Sequence, residues 1–509
     1  MSGTGPHDPA STTSGGPPLP AATRDGTVTG SAVRASAWVV GGHAANLVLR
    51  FGSNLILARL LFPEVFGLAS LVFIFIQGVH QFSDIGTGPA IVQSPRGDDP
   101  DFLNTGWTIA CIRGVMLWLA TCVVAQPLAT FYGQPLLAQL LPVAGLNAVI
   151  GGCSSTSLHW AQRHLQLKRL TLVELATQVL GIGTNIVLVL VYRSLYPADR
   201  LGAVWAFMFG SLLGSLSLTV LSHTVFPGIR NRFHLDRDSA KQLLRFGRWV
   251  FLSTMLSFLT GQADRLLLGK MIPLELLGVY GIAANLAVAA TQGVQNVGDR
   301  VLFPACSRLA GKGQLAQAFH RARLPLLLGG AALTSGFVAC GPSLIRILYD
   351  NRYEQAGWIL QYLAVAAWFQ VLDSVNRATL LAQGRLNWMA ASNGVKLAAL
   401  VVLLPLGLRL GGFPGALGAL ILSDALKYAT SAIGAAVGGL RGAGQDLVFT
   451  GLIAGVSYAA ILGGRTLGAM LQANLGVFVG AALVAGGAWG VAGLWYLVRA
   501  RAERAARPG

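Results

Sequence analysis

The amino-acid sequence predicts an all-α polytopic membrane protein with about fourteen transmembrane helices. Two six-helix lobes are expected to form a parallel pseudo-repeat around a central cavity, followed by two C-terminal helices. Three observations lead to this prediction. The chain is much more apolar than a soluble protein, its apolar residues fall into stretches long enough to cross a bilayer, and a pattern near the second helix recurs near the eighth.

The composition indicates the solvent that surrounds the folded chain. Of the 509 residues, 53% are hydrophobic and only 11% are charged, and the mean hydropathy is +0.60. A soluble domain carries about 25% charged residues, so this chain cannot cover a water-exposed surface with charge. High hydrophobicity also excludes disorder over most of the length. We therefore expect the protein to reside in a membrane.

The apolar stretches set the predicted organisation of the chain. Residues 1–35 are rich in Ser, Thr, Gly and Pro and lack the apolar core of a signal peptide, so we expect a disordered tail there. The expected parts that follow are an N-lobe at 36–225, a basic linker at 226–247, a C-lobe at 248–440, two further helices at 441–498 and a basic tail at 499–509.

Fourteen apolar stretches approach the ~20 residues that a transmembrane helix needs. Pro and Gly are frequent inside them, which membrane helices tolerate better than soluble helices do. The predicted spans are 37–58, 65–91, 106–130, 136–158, 171–192, 202–225, 248–269, 276–298, 324–341, 357–380, 389–409, 414–438, 447–464 and 475–498.

Lys and Arg predict the orientation of these spans, because cytoplasmic loops carry an excess of both. The two tails and the loops on their side of the membrane carry most of the basic residues, above all the linker between spans six and seven. Both termini are therefore predicted to be cytoplasmic, in a bacterial inner membrane. The net charge of +17 is assigned to these loops facing anionic lipid, and no nucleic-acid partner is expected.

An internal repeat relates the two lobes. Residues 55–69, LILARLLFPEVFGLA, align with residues 266–280, LLLGKMIPLELLGVY, at an offset of 211. Six spans separate the copies, so both cross the membrane in the same direction, as in the parallel repeats of secondary transporters. The charged and glycine positions that coincide are Arg59 with Lys270, Glu64 with Glu275, and Gly67 with Gly278.

Four basic residues inside the spans are candidate contacts for an anionic substrate: Arg50, Arg113, Lys396 and Lys427. An ionisable group inside a membrane span costs about 3 kcal/mol or more unless it faces an interior or a wet cavity. The first three have no acidic residue three or four positions away. Unpaired cations favour an anionic cargo, whose charge offsets their desolvation, although a partner on another helix or snorkelling is the alternative.

A second set of residues is predicted to couple transport to protons or ions: Asp84, Asp424, His43 and His80. The histidines lie in polar stripes on the first two spans and titrate near neutral pH. Their alternative role is that of hydrogen-bonded interior histidines, and Asp84 could instead cap or pack a helix. Structural pairs within one helix are a further alternative, for Asp424 with Lys427 and for Asp373 with Arg377.

Other chemistry leaves no pattern in the sequence. The five cysteines are scattered without a CxxC pair, no metal-ligand spacing occurs, and neither a P-loop nor a G-x-S-x-G elbow is present. We therefore expect no cofactor, no metal and no enzymatic activity.

Two segments carry a family resemblance. FSDIGTGPAIVQ at residues 82–93, with the preceding LARLLFPEVFGLASL, and WAQRHLQLKRLTLVEL at residues 160–175 resemble the polysaccharide transporter branch of the multidrug/oligosaccharidyl-lipid/polysaccharide exporter superfamily. Wzx-type flippases for lipid-linked oligosaccharides are most similar in pattern. In helix order the resemblance extends from about residue 35 to residue 440.

The resemblance implies alternating access, in which an undecaprenyl-diphosphate-linked repeat unit crosses the inner membrane for exopolysaccharide, capsule or O-antigen biosynthesis. The four basic residues above would then face the diphosphate and any acidic sugars. A monomer that works with a polysaccharide polymerase and a chain-length regulator is implied as well.

Three alternatives are weighed against this function. A drug/cation antiporter of the same superfamily would need an acidic cavity, and a peptidoglycan-precursor flippase would share the helix count. A membrane polysaccharide polymerase or ligase would carry a sizeable extracytoplasmic loop with catalytic residues, whereas the corresponding loops here are short. The two segments favour the polysaccharide branch.

Overall fold

The computed structural model describes residues 26–81, 86–226, 229–297, 315–440, 442–471 and 474–505, and these parts form helices joined by short connections. The helices of the described chain are α1 (Gly26–Leu60), α2 (Pro63–Gln81), α3 (Thr87–Gln93), α4 (Pro100–Tyr132), α5 (Leu136–Gly152), α6 (Ser157–Arg163), α7 (Leu167–Leu195), α8 (Ala203–Thr224), α9 (Arg237–Met271), α10 (Leu274–Val297), α11 (Leu315–Leu348), α12 (Ala356–Ala382), α13 (Leu386–Val437), α14 (Ala443–Leu471) and α15 (Asn474–Ala505).

Ten helices of the described chain are long and apolar enough to cross a membrane, or eleven if α5 and α6, which are bent by 53°, form one span. The predicted number of fourteen is therefore not confirmed. One reason is that α13, at 52 residues, counts once. Its helical geometry breaks at Gly411 and Gly412, and Gly412 adopts a φ of +61°, which favours glycine. The two arms of α13, residues 386–410 and 413–437, coincide with predicted spans eleven and twelve.

Three helices begin or end outside the boundaries expected from sequence. α1 begins at Gly26 within the predicted tail, α9 begins at Arg237 within the predicted linker, and α15 continues to Ala505. The start of α9 is set by Asp236, whose side chain accepts hydrogen bonds from the backbone N–H and the hydroxyl of Ser239. These bonds hold the pKa of Asp236 below its usual range. Apolar content marks only the part of a helix that crosses the membrane, so helical extensions into water were missed.

The two lobes pack against each other at one end of the membrane, where α1 turns into α2 and α9 turns into α10. We call this region the turn end and define it as residues 58–67 and 269–278. A Cβ on Gly67 would lie 2.1 Å from the carbonyl oxygen of Leu274, and a Cβ on Gly278 would lie 1.9 Å from that of Pro63. Leu274 and Pro63 also correspond at the offset of 211, so the repeat produces a symmetric helix contact.

The two basic positions of the repeat, Arg59 and Lys270, each reach the opposite lobe at the turn end. The guanidinium of Arg59 donates to the carbonyl oxygen of Leu348 at the end of α11, at 3.3 Å. The ammonium of Lys270 donates to the carbonyl oxygen of Phe131 near the end of α4. Cations at helix C-termini satisfy carbonyl groups that lack a partner within the helix. The repeat therefore conserves a reciprocal contact between the lobes as well as a helix pattern.

The two C-terminal helices pack against the C-lobe through α11. Arg323 of α11 forms a fully buried ion pair with Asp446 of α14. On α15, the indole of Trp489 donates to the Ser335 hydroxyl at 2.7 Å and stacks on Phe449 at a centroid distance of 6.2 Å. A buried ion pair needs further hydrogen bonds to offset its desolvation.

The first expected result concerns this buried pair. Tyr428 of α13 donates its hydroxyl to the second carboxylate oxygen of Asp446 at 2.7 Å. Tyr428→Phe removes that donor and should lower the free energy of unfolding by about 1.5–3 kcal/mol, measured as a lower thermal unfolding midpoint in detergent. Tyr458→Phe on α14, where the side chain is 67% exposed, is the control and should leave the midpoint unchanged. Equal midpoints for both variants would contradict the role assigned to Tyr428.

Candidate functional site

The second half of the chain brings four charged residues together within the helices. The ammonium of Lys396 lies 2.6 Å from a carboxylate oxygen of Asp424, and the ammonium of Lys427 lies 3.1 Å from one of Asp373. Lys396 and Asp424 each lie about 15 Å along their arms of α13, near the middle of a bilayer. The exposed fractions of the two lysine side chains are only 13% and 19%.

This geometry corrects two expectations from the sequence. Lys396 is not an unpaired cation, because the other arm of α13 supplies Asp424. Lys427, three residues after Asp424, forms its ion pair with Asp373 of α12. Spacing along a sequence reveals pairs on one helical face, whereas these pairs form through space between segments that fold back on each other.

Further polar groups surround the two ion pairs. Gln370 donates to the second carboxylate oxygen of Asp424 at 3.0 Å, and Tyr280 of α10 donates to a carboxylate oxygen of Asp264 of α9. The carboxylates of Asp264 and Asp373 also act electrostatically on Lys396. We call the whole set the C-lobe charge cluster: Asp264, Tyr280, Gln370, Asp373, Lys396, Asp424 and Lys427. The cluster contains three carboxylates and two lysines, so it has one carboxylate more than the lysines can neutralise.

Sequence reasoning missed the contribution of α9 to this region. Gln262, Asp264 and Arg265 follow one another closely near the end of the seventh predicted span, and that polar run was the available signal. The guanidinium of Arg265 donates to Asn285 of α10 at 3.0 Å, and both side chains are accessible. Gln262 donates to Gln77 of α2 at 3.3 Å, which joins the polar residues of the two lobes.

The predicted N-lobe residues are distributed differently. Arg50 is exposed on α1. Arg113 of α4 and His80 of α2 are half-buried, and each interacts with another group. Asp84 and the side chain of His43 lie outside the described residues. Of the four predicted substrate contacts, Arg50 is thus the exposed cation, while Lys396 and Lys427 are held in ion pairs.

The two segments that carry the family resemblance meet in the N-lobe, at the end opposite the turn end. Arg163 of α6 donates to the carbonyl oxygens of Ile91, Val92 and Ser94 around the end of α3, at 2.7–3.3 Å. A Cβ on Gly88 would lie 2.7 Å from the ring of His159. The contacts of Arg163 and of Gly88 both depend on close packing of α3 against α6. The two segments therefore brace the N-lobe.

A carboxylate outside the membrane spans completes this brace. Asp98 accepts a hydrogen bond from His164 at 2.6 Å and pairs with Arg163 at 3.2 Å. The hydrogen bond from His164, followed by the bond from Arg163, lowers the pKa of Asp98. Arg163 and His164 of the second segment therefore have a structural role in this brace.

The arrangement of two helical lobes is a known transporter fold. The structure of a lipid II flippase MurJ in an inward closed conformation superposes with a TM-score of 0.63 over 89% of this chain and 98% of that chain, at 12% identity. The inward-facing conformation of a multidrug resistance MATE family transporter of the MOP superfamily gives a TM-score of 0.57 over 76% and 92%, at 15% identity. These likenesses establish the fold.

The sequence assigns the family within that fold. Residues 56–358 match the model of a polysaccharide biosynthesis protein family, and this chain belongs to that family. The resemblance to polysaccharide transporters expected from the two segments is thereby confirmed.

Curated relatives are similar over part of their length. The teichuronic acid biosynthesis protein TuaB of Bacillus subtilis (strain 168) is 24% identical over 59% of this chain and 61% of TuaB. The lipopolysaccharide biosynthesis protein WzxC of Escherichia coli (strain K12) is 20% identical over 71% and 72%. The succinoglycan biosynthesis transport protein ExoT of Rhizobium meliloti (strain 1021) is 24% identical over 65% of each chain. The matched region thus spans less than two thirds of TuaB and of ExoT.

Proposed function

We propose that this protein is a flippase that moves lipid-linked oligosaccharide repeat units across the bacterial inner membrane, for exopolysaccharide, capsule or O-antigen biosynthesis. Family membership over residues 56–358, in a chain with the fold of MOP transporters, is the observation that carries this proposal. The names of the relatives, which include a polysaccharide transport protein, support it. The activity is transport, with no chemical reaction on the glycan.

In the proposed mechanism the two lobes alternate between states that open to opposite sides. The positive-inside pattern predicts cytoplasmic termini, and with that orientation the turn end would lie on the extracytoplasmic side. The symmetric contact of Gly67 and Gly278 then closes the extracytoplasmic side and must separate for release. The polar contact of Gln77 with Gln262 lies deeper, where substrate passes between the lobes.

We propose that the substrate diphosphate exchanges partners with the C-lobe charge cluster. Lys396 and Lys427 are each held by one carboxylate, and a phosphate oxygen can replace that carboxylate as the acceptor. Arg50 and Arg113 are proposed to contact the same anionic head group from the N-lobe. This exchange is feasible for the lysines, because each of them has an anionic partner both before and after substrate binds.

Coupling to protons or ions is proposed for the same region. Protonation of Asp424 would release Lys396 toward the substrate, and release of the substrate would restore the ion pair. His43, His80 and Asp84 are the N-lobe candidates. A polysaccharide polymerase and a chain-length regulator are the proposed partners that consume the translocated unit.

Reconstitution in vesicles tests the proposed function. An undecaprenyl-diphosphate-linked oligosaccharide is placed in both leaflets, and an external glycosidase reports how much becomes accessible. We expect the wild-type protein to expose the protected half, and Arg50→Gln to slow this by about tenfold, which is the loss of one charge-assisted hydrogen bond. Arg409→Gln, an exposed arginine of the C-lobe, is the control.

Two competing substrates make the result decisive. Lipid II replaces the oligosaccharide in one arm and a cationic dye in the other. Faster translocation of lipid II would indicate a peptidoglycan-precursor flippase, and uptake of the dye would indicate a cation antiporter. Equal accessibility with and without protein would contradict transport of this substrate class.

A further inference from the structure

An apolar groove lies on the N-lobe between α5, α7 and α8. It encloses about 520 Å³, within the range of ligand pockets. Its walls are almost entirely aliphatic and aromatic, and several of them are accessible: Val191, Phe209 and Leu213 are 49%, 48% and 44% exposed. Along α8 it extends from Trp205 to Leu216, about 16 Å, or roughly half the hydrocarbon thickness of a bilayer.

The groove faces away from the substrate path. The opposite face of α8 is packed into the core, where Val204 and Met208 are buried. On that face Phe207 contacts Phe66 and Phe73 of α2, at centroid distances of 6.5 and 5.6 Å. Since α2 packs against α9 and α10 of the C-lobe, the groove opens on the outer side of the N-lobe. The groove therefore faces the lipids of the bilayer.

A polar rim closes the groove at the turn end. Tyr192, which lines the groove, donates its hydroxyl to Asp199 at 2.8 Å, and the backbone N–H of Gly202 donates to the other carboxylate oxygen at 2.8 Å. These bonds fix the connection from α7 to α8, in which Arg200 directly follows Asp199 at this end of the groove. Tyr196, whose ring lies 5.2 Å from that of Tyr192, and Trp205 in the groove wall add aromatic side chains at this end, as is common at the bilayer interface.

The guanidinium of Arg200 is available to an anion. It is exposed and stacks on the ring of Phe62 at 4.7 Å, and among the described residues it has no ion-pair partner. Stacking occupies the face of a guanidinium and leaves its N–H edge for a phosphate, which it can bind through two parallel hydrogen bonds. An apolar groove of one-leaflet length and a cationic rim together match an amphiphile with an anionic head.

We propose that this groove binds an acyl chain of an anionic glycerophospholipid from the surrounding bilayer, with the head-group phosphate at Arg200. The proposed head-group site lies beside residues that connect the two lobes. Arg193 donates to the carbonyl oxygen of Leu60 at 2.6 Å, and Arg352 of the C-lobe stacks on the same Phe62 ring at 4.9 Å. The lipid therefore stabilises the turn where the two lobes close.

Native mass spectrometry of the full-length protein tests this site. The protein is purified in detergent and exchanged into mixed micelles with phosphatidylglycerol or phosphatidylcholine. We expect one phosphatidylglycerol to be retained, with about tenfold weaker retention of it in Arg200→Gln. Leu213→Trp fills the groove without changing charge and should weaken retention as well. Arg409→Gln, an equally exposed arginine outside the groove, should retain the lipid like the wild type.

Three outcomes would overturn the proposal. Equal retention of phosphatidylcholine would show that the rim does not select an anion. Unchanged retention in both Arg200→Gln and Leu213→Trp would place the lipid elsewhere. Displacement of phosphatidylglycerol by an equal amount of undecaprenyl phosphate would assign the groove to an isoprenoid chain. Folding of each variant is verified by its elution and thermal unfolding midpoint, so loss of the lipid cannot be confused with loss of the protein.

Discussion

Gly278→Ala is expected to abolish polysaccharide export while the protein still folds and inserts. The added Cβ would lie 1.9 Å from the backbone carbonyl oxygen of Pro63, which no side-chain rotation can relieve. The helices α2 and α10 must then separate, and overpacking of this kind costs about 1–3 kcal/mol. The cost falls on the closed turn end, because Gly67 and Gly278 both lie in the contact between the lobes there. A cost of about 3 kcal/mol lowers the population of the state with a closed turn end about a hundredfold.

The repeat makes the same prediction for Gly67→Ala, where the new Cβ would lie 2.1 Å from the carbonyl oxygen of Leu274. Gly281→Ala, one turn further along α10, is the matched control, since the structure shows open space around it. The measurements are export in a complementation assay and cross-linking of cysteines introduced on the two sides of the turn end. Full export by either repeat variant, with normal cross-linking, would contradict the role of this contact in closure.

The largest loss of stability is expected for Lys396→Met. This change removes one of the two lysines of the C-lobe charge cluster and takes away the ion-pair partner of the buried Asp424 carboxylate. A buried charge without its partner costs about 3–5 kcal/mol. Asp424→Asn should be less damaging, because Asp264 and Asp373 still act on Lys396. Lys396→Met is expected to destabilise the protein more than Asp424→Asn, because the C-lobe charge cluster has more carboxylates than lysines.

The double variant Lys396→Met with Asp424→Leu separates stability from transport. Replacing both charges by apolar groups removes the desolvation cost together with the attraction, so the unfolding midpoint should return close to that of the wild type. Translocation should not return if Lys396 meets the diphosphate. The pair Lys427 and Asp373 provides a second cycle of the same design. Recovery of both stability and transport in the double variant would leave the pair with a structural role only.

The class of this protein follows from its amino-acid sequence, because apolar composition and an excess of basic residues in the loops can be counted without a structure. The offset of 211 also identified Gly67 and Gly278, and the segments at 82–93 and 160–175 identified the family that the match to residues 56–358 confirmed. Helix ends were placed less well where helices continue into water, as α9 does from Arg237.

The pairing of the charges within the helices became visible in the folded structure and not before. Lys396 had no partner within four residues along the chain, yet Asp424 lies 2.6 Å away because α13 folds back at Gly411 and Gly412. The same holds for Asp264, whose place in the cluster depends on α9 packing beside α13. Sequence spacing reports neighbours on one helix, whereas electrostatic energy depends on distance through space. The basic residues inside the spans could therefore be identified from the sequence. Which of them are paired and which are exposed could not.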